Sequence, residues 1–334
     1  MCIALLICSL PTLPECVSIK AQQLRSIPSS TMAVSNARQS QSQSQSQLQT
    51  LIDINCTDLL KAFGLSDRSS GQKLLRPFIL PTARRFAQRV MEYDRLAGEF
   101  GLPQATRIFL RHNVNSVTFS GARNLAGNGP LLIASNHPGL TDALALVAIV
   151  QDDDVRIVAH DRDFLRALPN IMHYLLIVSD VASERIRATR SVLSTLKAGC
   201  PVLTFPAGQI EPDPATMTGG QESLRSWSSS LDLFARLETD LRVVPAIVRG
   251  VISADALRNP LTRIRRNKKD RNWLAATLQI AVRAYQNQDV RVAFGEPVYA
   301  AHLTGFSTMT DVVKTRAQQL IESPPADWQQ LPLI

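Results

Sequence analysis

Leu131-Leu132-Ile133-Ala134-Ser135-Asn136-His137-Pro138-Gly139-Leu140-Thr141-Asp142 runs from an apolar stretch through a Pro-Gly turn to an aspartate five residues past the histidine. Proline fixes its own φ and lacks an N–H, and glycine accepts conformations closed to other residues, so the strand should end there and a helix begin near Thr141. His137 then stands at the carboxyl end of a strand and Asp142 in the first helical turn. That spacing lets a carboxylate hold the imidazole. Histidine is the side chain suited to take a proton near neutral pH, and a carboxylate on its far nitrogen fixes tautomer and orientation. Alone, the pair equally fits a loop histidine beside a helix-start aspartate.

Working outward, Val202-Leu203-Thr204-Phe205-Pro206-Ala207-Gly208-Gln209-Ile210-Glu211-Pro212 is a second short apolar strand entering a Pro/Gly turn. Val243-Val244-Pro245-Ala246-Ile247-Val248-Arg249-Gly250 is a third. The lead-in Val117 to Leu125, followed by Gly129-Pro130-Leu131, completes the series. Strands are expected at about 116–119, 131–135, 155–159, 175–178, 201–205, 243–248 and 290–294. Helices fall near 141–150, 183–198, 221–238, 271–286 and 308–321. This alternation predicts an α/β domain whose central sheet, mostly parallel or mixed, is flanked by helices. His137 and the Phe205 turn both follow strand carboxyl ends, where sites in open α/β sheets gather.

In that order the segments resemble the glycerolipid acyltransferase superfamily, over roughly residues 110–300. The family's Asn-His-(four residues)-Asp box is matched by Asn136, His137 and Asp142. Its Phe-Pro-Glu-Gly block is matched in part by Phe205, Pro206 and Gly208, and its late strand by Pro245, Arg249 and Gly250. The resemblance implies a glycerolipid acyltransferase-like fold. It also implies transfer of a fatty acyl group from acyl-CoA or acyl-carrier protein to a glycerolipid or lysophospholipid hydroxyl. His137 is then the general base and Asp142 its orienter, without a covalent acyl-enzyme. Asn136, Arg162, Arg185, Arg187, Phe205, Pro206, Gly208 and Glu211 become the substrate-binding expectation, with Arg166 an alternative to Arg162. Ala207 stands where the family usually carries glutamate, and Gln209 where a basic residue is common, which opens the identity of the acceptor. Glu211 either supplies a carboxylate from a shifted position or is a solvated turn residue.

Competing chemistries find less support. No Gly-x-Ser-x-Gly elbow occurs, which disfavours a serine hydrolase; an acyl-thioester or lysophospholipid hydrolase, or a catalytically weak lipid-binding relative, remains the alternative. Cys200 reads as a small apolar residue at the start of a buried strand. No Cys/His cluster has metal-ligand spacing, so no metal and no cofactor beyond the acyl co-substrate is expected. The five cysteines form no compact pattern and favour a reducing compartment.

The net charge of +8 calls for an anionic partner. With no nucleic-acid motif and 5% aromatic residues, coenzyme A, an acidic carrier protein or an anionic membrane face fits better than nucleic acid. The densest basic run is Arg258 with Arg263, Arg265, Arg266, Lys268, Lys269 and Arg271. No stretch matches the ~20 apolar residues of a membrane span, so peripheral attachment from the cytoplasm is expected. Residues 1–50, including the Ser/Gln alternation at 39–47, are expected as a disordered low-complexity tail. Met32 offers an alternative start. A helical segment follows over 51–115, with helices at 53–63 and 82–100, then the acyltransferase-like domain over 116–322 and a tail over 323–334.

Overall fold

A computed structural model describes residues 30–65, 70–139, 141–178, 181–304 and 307–334. The expectation for residues 1–29 lies outside the described residues. Three helices lead the chain: α1 (Ser30–Ala62), α2 (Ser70–Phe100) and α3 (Leu102–Arg111). The Ser/Gln tract lies within α1. Serine and glutamine do not break a helix as Gly and Pro do, and the carboxyl half of α1 is anchored. Leu51, Ile52, Cys56 and Leu59 pack against Ala83, Ala87 and Val90 of α2. Small alanines let the two helices approach closely. The second helix starts twelve residues earlier than expected and runs through Pro77 and Pro81. An interior proline costs about 3 kcal/mol; here the packing on α1 and the Arg76–Asp53 ion pair offset it.

Among the described residues the sheet has nine strands: β1 (Ser116–Ser120), β2 (Leu131–Ser135), β3 (Arg156–His160), β4 (Leu175–Val178), β5 (Val202–Thr204), β6 (Arg242–Arg249), β7 (Asp289–Phe294), β8 (Val298–Tyr299) and β9 (Gln329–Gln330). Their order is β4-β3-β5-β2-β6-β7-β1-β9, with β8 beside the start of β6. From β4 to β6 every pairing is parallel. The pairs β6–β7 and β1–β9 are antiparallel, and β1–β7 is parallel. Side chains alternate between faces, and both faces are covered. Ile133, Val244, Ala246 and Val248 enter one core with α2 and α3. Leu132, Ala134, Val243 and Ile247 enter a second core.

The remaining helices are α4 (Asp142–Val150), α5 (Asp163–Arg166), α6 (Pro169–Met172), α7 (Ala182–Lys197), α8 (Gly220–Ser223), α9 (Ser230–Leu237), α10 (Ala254–Arg258), α11 (Lys268–Ala281) and α12 (Met309–Glu322). The single helix expected over 221–238 is interrupted at Trp227-Ser228-Ser229, between a 3₁₀ turn and α9. Serines compete for backbone hydrogen bonds, and the break turns the Trp227 indole inward, where it is buried. Within the segment expected as a carboxyl-terminal tail, β9 pairs with β1 and Leu331 is buried beside it.

Candidate active site

The five parallel strands deliver their carboxyl ends to one edge of the sheet. His137 follows β2, Arg162 follows β3, α7 follows β4, Phe205 follows β5 and Gly250 follows β6. At the exit of β2, the Asn136 amide extends the ladder. Its Nδ2 donates to the Val248 carbonyl at 2.9 Å and its Oδ1 accepts from the Val248 N–H at 2.7 Å. Both amide atoms are spent on β6, so Asn136 fixes where His137 leaves the strand and is not aimed at a ligand, contrary to expectation.

His137 and Asp142 are 2% and 1% exposed, and the imidazole Nδ1 lies 2.7 Å from Asp142 Oδ2. Asp142 also accepts the Gly139 N–H at 2.8 Å and the Ala143 N–H at 2.6 Å. An ionised carboxylate only accepts, so Nδ1–H donates to it, and in the neutral imidazole Nε2 then carries the lone pair. That Nε2 is buried and has no hydrogen-bond partner among the described residues. The Phe205 ring covers the imidazole, with centroids 4.4 Å apart. A ring so held can take a proton from a group brought to Nε2, and it cannot swing away to solvent.

The Phe205–Glu211 segment forms the neighbouring wall. Gly208 N–H donates to the Phe205 carbonyl at 3.0 Å, closing a turn in which Gly208 has φ 61°. The Pro206 carbonyl accepts from Ser228 N–H at 3.0 Å, while Gln209 and Ile210 are exposed. Glu211 is neither a solvated turn residue nor a free carboxylate in the site. It is 3% exposed and both its oxygens are used. Oε2 accepts from the His137 N–H at 2.9 Å; Oε1 accepts from Ser223 Oγ at 2.9 Å and Trp227 Nε1 at 3.0 Å. The Glu211 N–H in turn donates to the His137 carbonyl at 2.8 Å. Burial pushes its carboxyl above the ordinary range, and the bonds from Ser223, Trp227 and His137 oppose that shift.

The expected cations are more dispersed. Arg162 is half-buried at the end of β3, and its Nε is buried without a hydrogen-bond partner among the described residues. Arg166 is committed to Asp161. Arg185 and Arg187 are exposed on the first turns of α7. Arg249 reaches the Leu320 carbonyl, and burial lowers its pKa.

Behind His137 and Phe205 lies an apolar cavity of about 70 Å³. Leu144 and Val147 of α4, Ile157 of β3, Phe164, Leu168 and Ile171 line it, with Val90 and Tyr93 of α2. It has room for roughly two water-sized groups, so it is a seam that side-chain movement must widen for anything longer.

Sequence reasoning missed Asp213. Fully buried, it accepts the N–H groups of Gly250, Val251 and Ile252 at 2.9, 2.6 and 2.9 Å, tying the turn after β5 to the end of β6. The available signal was an acid between Pro212 and Pro214, which leaves its side chain as the local hydrogen-bonding group. Ser223 and Trp227 carried no signal, because they reach Glu211 only through the interrupted helix.

Residues 116–249 match the family model described as Acyltransferase. Among solved structures, the chain is similar to the 1-acyl-sn-glycerophosphate (LPA) acyltransferase PlsC from Thermotoga maritima, at 17% identity. That alignment covers 84% of this chain and 95% of that chain, with a TM-score of 0.40. No curated protein matches the chain.

Proposed function

We propose that residues 116–249, an acyltransferase-family domain, serve a reaction in which a fatty acyl group passes from coenzyme A or an acyl-carrier protein to a glycerolipid or lysophospholipid hydroxyl. The observation that carries this reading is the His137 ring, fixed by Asp142 at Nδ1 with Nε2 unpartnered at the wall of an apolar cavity. An alcohol is a poor nucleophile at neutral pH and needs a base. In this reaction His137 Nε2 takes the hydroxyl proton as the oxygen attacks the thioester carbonyl. The tetrahedral adduct collapses, the C–S bond breaks, and the thiolate leaves with the proton from the imidazolium. Asp142 stabilises that imidazolium and holds the tautomer. The acyl chain lies in the seam behind Phe205, where transfer of methylenes out of water is favourable by about 0.8 kcal/mol each.

The acceptor enters over the Phe205–Gln209 turn. With Ala207 and Gln209 there, that turn carries no charged side chain, so any anionic headgroup is met by Arg162, Arg185 or Arg187. Peripheral attachment to an anionic membrane is supported by exposed apolar side chains that neighbour cations in the chain. Ile186 (57% exposed) and Val181 flank Arg185 and Arg187, and Ile264 (59%) and Leu261 stand beside the basic run 263–271. Phe78 (77%) and Leu74 (72%) protrude from the start of α2. No helix among the described residues is long and apolar enough to cross a membrane.

The test is acyl transfer from radiolabelled acyl-CoA and acyl-carrier protein to a panel of acceptors: lysophosphatidate, glycerol-3-phosphate, neutral lysolipids and amino-lipids, with water as the blank. Product from one of these, lost in His137→Ala, is the expected result. Release of free fatty acid at the same rate with and without every acceptor would make the protein a hydrolase. No product from any acceptor with folded protein would remove the enzyme reading.

A further inference from the structure

We infer that Glu211 is a positioning residue for His137, setting the histidine through its backbone while Asp142 sets it through its ring. The inference rests on the reading of His137 as the base. Two carboxylates grip one residue from opposite ends. Asp142 accepts from Nδ1–H at 2.7 Å, and Glu211 accepts from the main-chain N–H at 2.9 Å while its own N–H donates to the His137 carbonyl at 2.8 Å. The His137 peptide is thereby clamped on both sides.

Glu211 has no oxygen left for an acceptor, since Ser223 Oγ and Trp227 Nε1 occupy Oε1. Nor does it line the apolar cavity that His137 and Phe205 wall. Every donor around it is a neutral group of this chain: one peptide N–H, one hydroxyl, one indole. The three residues between Ala207 and Glu211 in the turn give the carboxylate this reach beneath the histidine, in a segment whose position 207 carries no acid. Trp227 meets it only because the helix expected over 221–238 breaks there. Losing the clamp frees the His137 main chain to slide while Asp142 still holds Nδ1, which tilts Nε2. Misplacement by about 1 Å costs on the order of 100-fold in rate.

The experiment compares wild type, Glu211→Gln, and Glu211→Gln with Trp227→Phe, each checked for a cooperative thermal melt. The readouts are kcat, the acceptor KM and the His137 imidazole NMR signals, assigned by their loss in His137→Gln. Glutamine offers one acceptor and one donor where three donors converge, so its NH₂ must face an N–H. In Glu211→Gln, kcat is expected to fall about 10- to 100-fold with the acceptor KM within about twofold. In the double variant the conflict is relieved: the Gln oxygen accepts from His137 N–H and its NH₂ donates to Ser223 Oγ. Recovery of kcat to within a few-fold of wild type is expected. A raised KM with unchanged kcat would make Glu211 an acceptor contact. Unchanged kinetics, or no recovery in the double variant, would also overturn the inference. Should wild type and His137→Ala turn over alike, the base reading fails by itself; the NMR signals still judge the positioning, which is overturned if they coincide in wild type and Glu211→Gln.

Discussion

At the scale of single residues, the site is built by using up hydrogen bonds until one lone pair is left. Asn136 is spent on Val248, Asp142 on three donors and Glu211 on three more, while His137 Nε2 has no partner among the described residues. Asp142→Asn tests the orienter. An amide can still accept from Nδ1–H, but it carries no charge to balance an imidazolium, and its NH₂ cannot accept from a backbone N–H. We expect kcat lower by about two to four orders of magnitude, with the acceptor KM little changed and the protein folded by circular dichroism. A rise in KM alone would assign Asp142 to substrate binding. The histidine and its aspartate were legible from five residues of spacing and a Pro-Gly turn. The true places of Asn136 and Glu211 were not, because each depends on a strand or helix remote in sequence: β6 for one, the Trp227 break for the other.

At the scale of elements, apolar runs of four to eight residues between turn signals located seven of the nine strands. The two missed strands, β8 and β9, have two residues each and present no pattern. The interrupted helix over 220–237 was missed for a different reason. The apolar positions on both sides of Trp227 keep nearly helical spacing, while the hydrogen bonds that break the helix come from Pro206 and Glu211.

Two element junctions make measurable predictions. Gly250 ends β6 with φ 74°, and a Cβ there would sit 2.3 Å from the Asp289 carbonyl oxygen. Gly250→Ala should therefore destabilise by about 1–3 kcal/mol, read as a lower urea midpoint with unchanged slope; an unchanged midpoint would contradict the geometry. At the β1–β7 junction, Ser116 Oγ and then Asn115 Nδ2 hold the Asp289 carboxyl below its ordinary 3.8. The native state thus binds fewer protons than the unfolded one. This stabilisation is fully present above the ordinary value and is lost as pH falls through the depressed one. At this exposed position it amounts to under about 1 kcal/mol. The gap in melting temperature between wild type and Asp289→Asn should be open at pH 7 and close below about pH 3. A gap that widened in acid would have the sign wrong.

At the scale of the whole molecule, the sheet brings its parallel strand ends to one edge, and exposed apolar side chains stand next to cations in the chain at residues 181–187 and at residues 261–271. A lipid surface meets that combination by burying the apolar tips and neutralising the cations, at about 1 kcal/mol per Lys or Arg near the surface. Sedimentation with vesicles should show binding that rises with anionic lipid content, weakens with salt, and drops at least tenfold in Leu74→Glu/Phe78→Glu. Binding that is indifferent to both lipid charge and these substitutions would place the contact elsewhere. The basic run was visible in the sequence; which apolar side chains stay exposed was not, since that is set by packing.

The most direct measurement is the rate of acyl transfer to the best acceptor by wild type and His137→Gln, at matched concentrations of protein shown to melt alike. A fall of at least about 100-fold is expected, to the level of the acceptor-free blank. Turnover by His137→Gln within a few-fold of wild type would contradict it and remove the imidazole from the chemistry.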